Sequence, residues 1–122
     1  MLIPSGPSHD LARKHLFVVC TDPDTDGLQA LVSVSTRIND LCDSTCLLQP
    51  HEHPFLSAVS FVFYRRARIE ANQTLVLGVE RGVLVPREDM NSQTFLRIVR
   101  GFCRSPQTPP KIKTYLGCPK TP

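Results

Sequence analysis

The stretch "SFVFYRRARI" (residues 60–69) shows the clearest two-residue alternation in the chain. Successive side chains of a β-strand point to opposite faces of a sheet, so this pattern predicts a strand with two different faces. One face is apolar except for Arg65 and carries Phe61, Phe63, Ala67 and Ile69. The other is a tyrosine–arginine stripe that carries Val62, Tyr64, Arg66 and Arg68. We predict that the first face lies in a core and that the second faces solvent or a partner.

Three further strands are predicted upstream of this stretch. The run "HLFVVCT" (15–21) is apolar, β-branched and aromatic, which indicates a buried strand. The segment "LQALVSVSTRI" (28–38) alternates with period two, and the turn sequence "DPDTDG" (22–27) lies between the two runs. These runs therefore predict a hairpin. A short third strand is predicted in "TCLLQ" (45–49), before Pro50.

The downstream half is predicted to contain two more strands and one helix. The segment "TLVLGVERGVLVP" (74–86) reads as two short strands around a tight turn at residues 80–82. Residues 91–104 predict a helix that Asn91 or Ser92 caps. Its apolar stripe recurs at helical spacing and consists of Phe95, Ile98, Val99 and Phe102. Gly101 weakens this helix, and Pro106 prevents its continuation.

The element order predicts a mainly β (α+β) fold, namely a small SH3-like barrel of five to seven antiparallel strands with a C-terminal helix. A length of 122 residues indicates a single domain. We expect the barrel over about residues 13–88, the helix over about 91–104 and a Pro-rich tail over 105–122. Ile112, Tyr115 and Leu116 are candidates to dock the tail on the rest of the fold, and we expect the ends of the tail to be mobile.

Composition and charge narrow the functional classes. A hydrophobic fraction of 41% and a charged fraction of 20% are typical of a folded globular protein. No apolar run approaches the roughly 18 residues that a membrane span needs. The N-terminal sequence also lacks the apolar stretch of a signal peptide. We therefore expect a cytoplasmic protein without a membrane partner. The net charge is +3, and the second half is the more basic. This distribution suits either a polyanionic partner or a solvated face.

The five cysteines are odd in number and irregularly spaced, which argues against a disulfide framework. We expect Cys20 and Cys103 to be reduced core residues. His51 and His53, with Cys42 and Cys46 nearby, have spacing that zinc permits. However, Pro50 and Pro54 bracket the histidines, which favours a loop whose histidines are solvated or cap backbone groups. We therefore predict no metal and no other cofactor.

The order of these elements resembles the MazF/PemK family of toxins. The segments that carry the resemblance span residues 13 to 104 and read "RKHLFVVCT", "ALVSVST", "SFVFYRRARI", "LGVERGVL" and "SQTFLRIVRGF". The family usually has an Arg-Pro pair just before the first strand, where this chain has Lys14-His15-Leu16. An uncharacterised bacterial family that shares the barrel is equally compatible with these segments.

The resemblance implies a metal-independent endoribonuclease that cleaves single-stranded RNA, belongs to a toxin–antitoxin system and forms a homodimer. The family's catalytic threonine falls near Ser35 or Thr36, and His15 is suited to act as general acid or base. Positive charge for the phosphate would come from Arg13, Lys14 or Arg37. The stripe of Tyr64, Arg66 and Arg68 would stack on bases and neutralise phosphates. The alternative is a non-catalytic module that keeps the barrel as a binding scaffold.

Overall fold

The computed structural model describes residues 2–4 and 14–119, with side chains described from His15 onward. The fold is mixed α+β, with a curled antiparallel sheet that forms half a barrel. The strands are β1 (Leu2–Pro4), β2 (Lys14–Val19), β3 (Leu28–Thr36), β4 (Leu47–Leu48) and β5 (Ser60–Ala71). The helices are α1 (Asn72–Glu80), α2 (Ser92–Arg104) and α3 (Pro110–Leu116), and a single 3₁₀ turn covers Pro50–Glu52.

The sheet has the strand order β1-β2-β3-β5-β4, and each neighbouring pair is antiparallel. The predicted hairpin is confirmed, because Leu16 pairs with Val34 and Val19 pairs with Leu31. In its turn, Asp24 accepts hydrogen bonds from the backbone N–H groups of Asp26 and Leu28. Gly27 adopts a φ of 74°, a conformation that glycine enters without steric cost. The third predicted strand is also present as β4.

The two faces of the sheet carry two separate cores. The larger core lies between one face and the helices α2 and α3, and its fully buried members include Val32, Leu48, Val62, Ile98 and Ile112. The smaller core lies on the opposite face, where α1 contributes Leu75. The other members of the smaller core are Phe17, Leu31 and Leu84. Each face is thus apolar, but helices cover the two faces to different extents.

A large irregularity in β5 corrects the predicted division of residues 60–69 between the two faces. Leu31 pairs with Arg68 and Ser33 pairs with Phe63, so residues 64–67 of β5 lie opposite Val32 alone. β5 therefore has three more residues than β3 over this stretch. Because three is an odd number, the side chains of β5 after the irregularity point to the face opposite to the one that regular alternation predicts. The larger core therefore takes Val62 and Tyr64 before the irregularity and Ala67 after it. The prediction that Phe61 and Phe63 share a face with Ala67 and Ile69 is wrong.

Residues 74–86 do not form the two predicted strands. Helix α1 covers most of the segment and places Leu75 and Val79 one turn apart against the smaller core. Gly82, with a φ of 73°, follows the helix, and its N–H donates to the carbonyl of Val79. The described residues therefore contain five strands and three helices. This composition agrees with the predicted α+β class, but helices have a larger share than a mainly β fold would give them.

The C-terminal region contains one helix that was not predicted and corrects the predicted state of one cysteine. Helix α2 and its Asn91 cap are confirmed, since the Asn91 side chain accepts hydrogen bonds from the N–H groups of Gln93 and Thr94. The Pro-rich tail contains a helix that was not predicted, α3, and its Ile112 is fully buried, as expected of a residue that docks the tail. Cys20 is a buried free thiol as predicted, but Cys103 forms a disulfide with Cys118. None of the helices among the described residues has the length and apolar character to cross a bilayer.

Candidate nucleic-acid interface

The sheet face opposite the larger core brings aromatic, hydroxyl and basic side chains together. Its centre is a row across three strands, in which Ser33 of β3 pairs with Phe17 of β2 on one side and Phe63 of β5 on the other. The next row begins with Ser35, which pairs with Phe61. We call this surface the aromatic–arginine face, and its members are His15, Phe17, Ser33, Ser35, Phe61, Phe63, Arg66 and Arg68.

The register of the hairpin places His15 beside Ser35. Leu16 pairs with Val34, so one further step along both strands brings His15 opposite Ser35. Directly opposed residues of an antiparallel pair share a face and have Cβ atoms about 4.5–5.5 Å apart. Both side chains are half-buried. His15 and Ser35 therefore lie on one face of the sheet, at adjoining ends of neighbouring strands.

Two arginines of β5 lie over aromatic rings of this face. The Cζ atom of Arg66 is 5.3 Å from the ring centroid of Phe63, and that of Arg68 is 4.8 Å from the ring centroid of Phe17. A guanidinium at this distance interacts favourably with the electron-rich face of the ring. Arg68 also forms an ion pair with Glu70, whereas Arg66 is exposed. The face thus offers cationic groups next to aromatic rings.

Of the other residues predicted as catalytic or phosphate-binding, Thr36 lies on the other side of the sheet and Arg37 lies just beyond the end of β3. Thr36 follows Ser35 in β3, so it points to the opposite side of the sheet and is exposed. Arg37 is exposed and forms an ion pair with Asp40. Arg13 and the side chain of Lys14 lie outside the described part of the chain. Among the predicted catalytic residues, the structure therefore brings together His15 and Ser35 but not Thr36.

Tyr64 is not part of the aromatic–arginine face, which corrects the predicted tyrosine–arginine stripe. Its side chain is fully buried in the larger core, and its hydroxyl donates a 2.7 Å hydrogen bond to the carbonyl of Ile98 in α2. Its ring packs edge-on against Phe102. Burial raises the pKa of the Tyr64 hydroxyl, so this hydroxyl remains a neutral donor at neutral pH. Tyr64 therefore cannot stack on RNA bases.

Phe63, Ser33 and Phe17 belong to the face but were not predicted as site residues. Phe63 is half-buried and contacts Phe61, with ring centroids 5.1 Å apart. The alternation assigned Phe61 and Phe63 to a core because it assumed an unbroken strand. The available signal was the run of three arginines within four residues in "YRRARI", since a regular strand that alternates would have placed Arg65 in the core.

The histidine-rich loop after β4 has a structural role. The buried His53 ring donates its Nε2–H to the carbonyl of Glu88 at 2.6 Å, and its Nδ1 accepts the N–H of Phe55 at 3.1 Å. Cys46 is buried, and burial raises its thiol pKa. Across the described residues, no three His, Cys, Asp or Glu side chains are grouped so that they could hold a metal ion. Both nitrogens of the His53 ring are thus engaged within the protein.

Comparison of this chain with protein-family models, with curated proteins and with solved structures finds no match. Any function for the chain must therefore be argued from its own residues and their arrangement.

Proposed function

We propose that this chain is a MazF/PemK-like endoribonuclease, which binds single-stranded RNA on the aromatic–arginine face and cleaves it without a metal ion. The proposal includes the rest of the family's pattern, namely an SH3-like barrel, a cytoplasmic location, an antitoxin partner and a homodimer. The observation that carries it is the position of Arg66 over the half-buried Phe63, on the same face as the His15–Ser35 pair.

Single-stranded RNA requires two kinds of contact that this face supplies. Aromatic rings stack on bases of any sequence, at about 1–3 kcal/mol per base, and arginine binds phosphate through paired N–H donors. Phe63 is the accessible ring, because Phe61 and Phe17 are more deeply buried. Arg66 and Arg68 lie beside these rings and bring positive charge to the RNA strand that would lie across the face.

Cleavage would proceed by attack of a ribose 2′-oxygen on the adjacent phosphorus. A base removes the 2′-hydroxyl proton, the new P–O bond forms, and the bond to the 5′-oxygen breaks as that oxygen takes up a proton. The products are a 2′,3′-cyclic phosphate and a 5′-hydroxyl. His15 titrates near neutral pH in its unperturbed form and so suits the proton transfers. Ser35, which lies on the neighbouring strand and on the same face, can donate a hydrogen bond to a phosphate oxygen.

A second candidate function, RNA binding without cleavage, is favoured because the described part of the aromatic–arginine face holds one acid–base group and not two. Transesterification uses both a general base and a general acid. Among the described members of the aromatic–arginine face, only His15 has a side chain that ordinarily titrates near neutral pH. A binding module needs only the rings and the guanidinium groups, and it requires no general acid or base.

The deciding experiment incubates the purified chain with a 5′-labelled single-stranded RNA in the presence of EDTA. We expect fragments that end in a 2′,3′-cyclic phosphate. We also expect His15→Gln to lower the cleavage rate by about 10²–10⁴-fold, the usual contribution of a general acid or base, while RNA affinity stays within about twofold, because RNA is bound mainly through rings and guanidinium groups. His51→Gln, an exposed histidine of the 3₁₀ turn, is the matched control and should cleave like the wild type.

Three outcomes separate the candidates. Cleavage that EDTA abolishes, or that His15→Gln leaves unchanged, contradicts the proposed mechanism. Binding without cleavage, weakened by Arg66→Ala but not by Arg100→Ala, establishes the second candidate. Arg100 is suitable as the control because it is an exposed arginine of α2, the helix that packs on the opposite side of the sheet. Absence of RNA binding refutes both candidates.

A further inference from the structure

A buried hydroxyl without a partner lies at the centre of the aromatic–arginine face. Ser33 is only 1% exposed, and its Oγ has no hydrogen-bond partner among the described residues. A buried hydroxyl in this state is unfavourable, and native proteins leave few such groups. Ser33 pairs with Phe17 on one side and Phe63 on the other, so its hydroxyl lies between two aromatic rings.

The cover over this region consists in part of movable side chains. The guanidinium group of Arg66 lies over Phe63, and that of Arg68 lies over Phe17. Arg66 is exposed, and the side chain of Arg68 is 43% exposed. Exposed cation–π contacts contribute only about 0.5–1 kcal/mol. Displacement of Arg66 from its ring by a ligand is therefore inexpensive.

We propose that the row formed by Ser33 and Phe63 is a nucleobase subsite, a step that rests on the proposed binding of RNA. A base stacks on Phe63 in place of the Arg66 guanidinium, and the edge of the base forms a hydrogen bond with the Ser33 hydroxyl. Arg66 then moves to a neighbouring phosphate. The ring supplies affinity for any base, whereas the hydroxyl supplies discrimination, because a buried polar group rejects a base that leaves it unpaired. Ser33 is therefore a specificity-determining residue.

The subsite explains why the free protein tolerates an unpaired hydroxyl at this position. In the free protein, the Ser33 hydroxyl forms no hydrogen bond with the described residues and so does not stabilise the fold. Ser33→Ala should therefore leave the melting temperature equal to or above that of the wild type. Ser60 provides a matched control, since it is also buried on the sheet, but its Oγ donates a 3.0 Å hydrogen bond to the carbonyl of Ala58. Ser60→Ala should therefore lower the melting temperature.

The test measures the affinity of the full chain for four single-stranded RNA probes of equal length, each with a different base at one central position in an otherwise uniform sequence. For the wild type we expect at least a fivefold difference between the tightest and the weakest probe. Ser33→Ala should reduce that difference to less than twofold, with little change in the mean affinity. Phe63→Leu should instead weaken all four probes by about tenfold, and Ser60→Ala should preserve the wild-type ranking.

Each outcome supports or overturns the subsite. A wild type that binds all four probes equally, or a Ser33→Ala variant that keeps the wild-type ranking, overturns it while the proposed RNA binding stands. A lower melting temperature for Ser33→Ala also overturns it, because the hydroxyl would then have a partner in the free protein. If no probe binds the wild type, the proposed function itself fails.

Discussion

Tyr64 and Gly101 set the distance between β5 and α2 by direct contact. The Tyr64 hydroxyl reaches the carbonyl of Ile98, and a Cβ atom at Gly101 would lie within 2.5 Å of the Tyr64 Cζ atom. The helix can approach the ring this closely because residue 101 has no side chain. The sequence showed only that Gly101 weakens a helix, whereas the structure shows what this glycine permits.

We predict that Gly101→Ala destabilises the protein. Overpacking of a core costs about 1–3 kcal/mol, and the better helix propensity of alanine returns at most about 1 kcal/mol. The free energy of unfolding, measured by urea titration, should therefore fall by roughly 1–2 kcal/mol.

Gly78→Ala in α1 is the control, because the three atoms nearest to the added Cβ all belong to the side chain of Leu84, which can change rotamer. Its effect should be smaller than that of Gly101→Ala. Equal stability of Gly101→Ala and the wild type would show that Tyr64 does not pack on this glycine.

Among the elements, α1 is the one that the sequence misassigned. Its run "TLVLGVE" is apolar and β-branched without a clear period, and such short runs are ambiguous between helix and strand. Exposure of Val76 and Leu77 on α1 accounts for the missing periodicity, since apolar residues occupy both the buried and the exposed sides of this helix. The hairpin and α2 were predictable because their periods are regular and their turn and cap residues agree with them.

Helix α3 was not predicted, because it lies in a Pro-rich region whose composition resembles that of a linker. Pro109 is the N-cap of this helix and Pro110 is its first residue, a position where a missing N–H costs nothing. Gly117 ends the helix with a φ of 71°, and the N–H of Cys118 then donates to the carbonyl of Lys113. The disulfide between Cys103 and Cys118 ties this helix to the end of α2. Cysteine spacing alone could not reveal the disulfide, because it depends on a turn between two helices.

We predict that Cys118→Ser loosens α3. The disulfide closes a loop with a sequence separation of 15 residues. In the chain-entropy account, closing a loop of this length stabilises the folded chain by about 3 kcal/mol, because it lowers the entropy of the unfolded chain. In oxidising buffer, the variant should therefore melt at a lower temperature than the wild type. A reducing agent should lower the melting temperature of the wild type and leave that of the variant unchanged.

Cys42→Ser is the matched control for this experiment, since Cys42 is a free cysteine in a loop. It should melt like the wild type and respond to the reducing agent in the same way. If Cys118→Ser melts with the wild type in oxidising buffer, the disulfide does not contribute to stability.

At the scale of the whole molecule, two carboxylates hold α2 against the sheet and the loops beside it. Asp43 accepts a 2.5 Å hydrogen bond from the Ser105 hydroxyl, just after α2, and two more from Thr45. Glu52 accepts from the Thr94 hydroxyl at 2.9 Å and forms an ion pair with Arg97. The contacts with Ser105, Thr94 and Arg97 connect residues more than 40 positions apart, and so depend on the complete fold.

Both carboxyl groups have pKa values below their ordinary range. Burial alone would raise the pKa of Asp43, but the hydrogen bonds from Ser105 and Thr45 outweigh it. For Glu52, burial is likewise outweighed by the hydrogen bonds from Gln49 and Thr94 and by the charge of Arg97. A carboxyl group whose pKa is lower in the folded chain than in the unfolded chain stabilises the fold above the unfolded-state pKa, which is about 4 for Asp and Glu. That stabilisation is lost as the pH falls through the folded-state pKa.

The free energy of unfolding should therefore be constant near neutral pH and decrease as the pH falls below about 4. Asp43→Asn should reduce stability at pH 7 by about 1–3 kcal/mol, the cost of impaired hydrogen bonds to a buried charged group, and should make the decrease at acid pH shallower. Urea titrations from pH 7 to pH 2.5 measure both effects. Asp40→Asn, which alters a side chain that is 96% exposed in the preceding loop, should retain the wild-type pH dependence. An Asp43→Asn variant with the wild-type slope would show that the Asp43 carboxylate does not link the acid transition to the docking of α2.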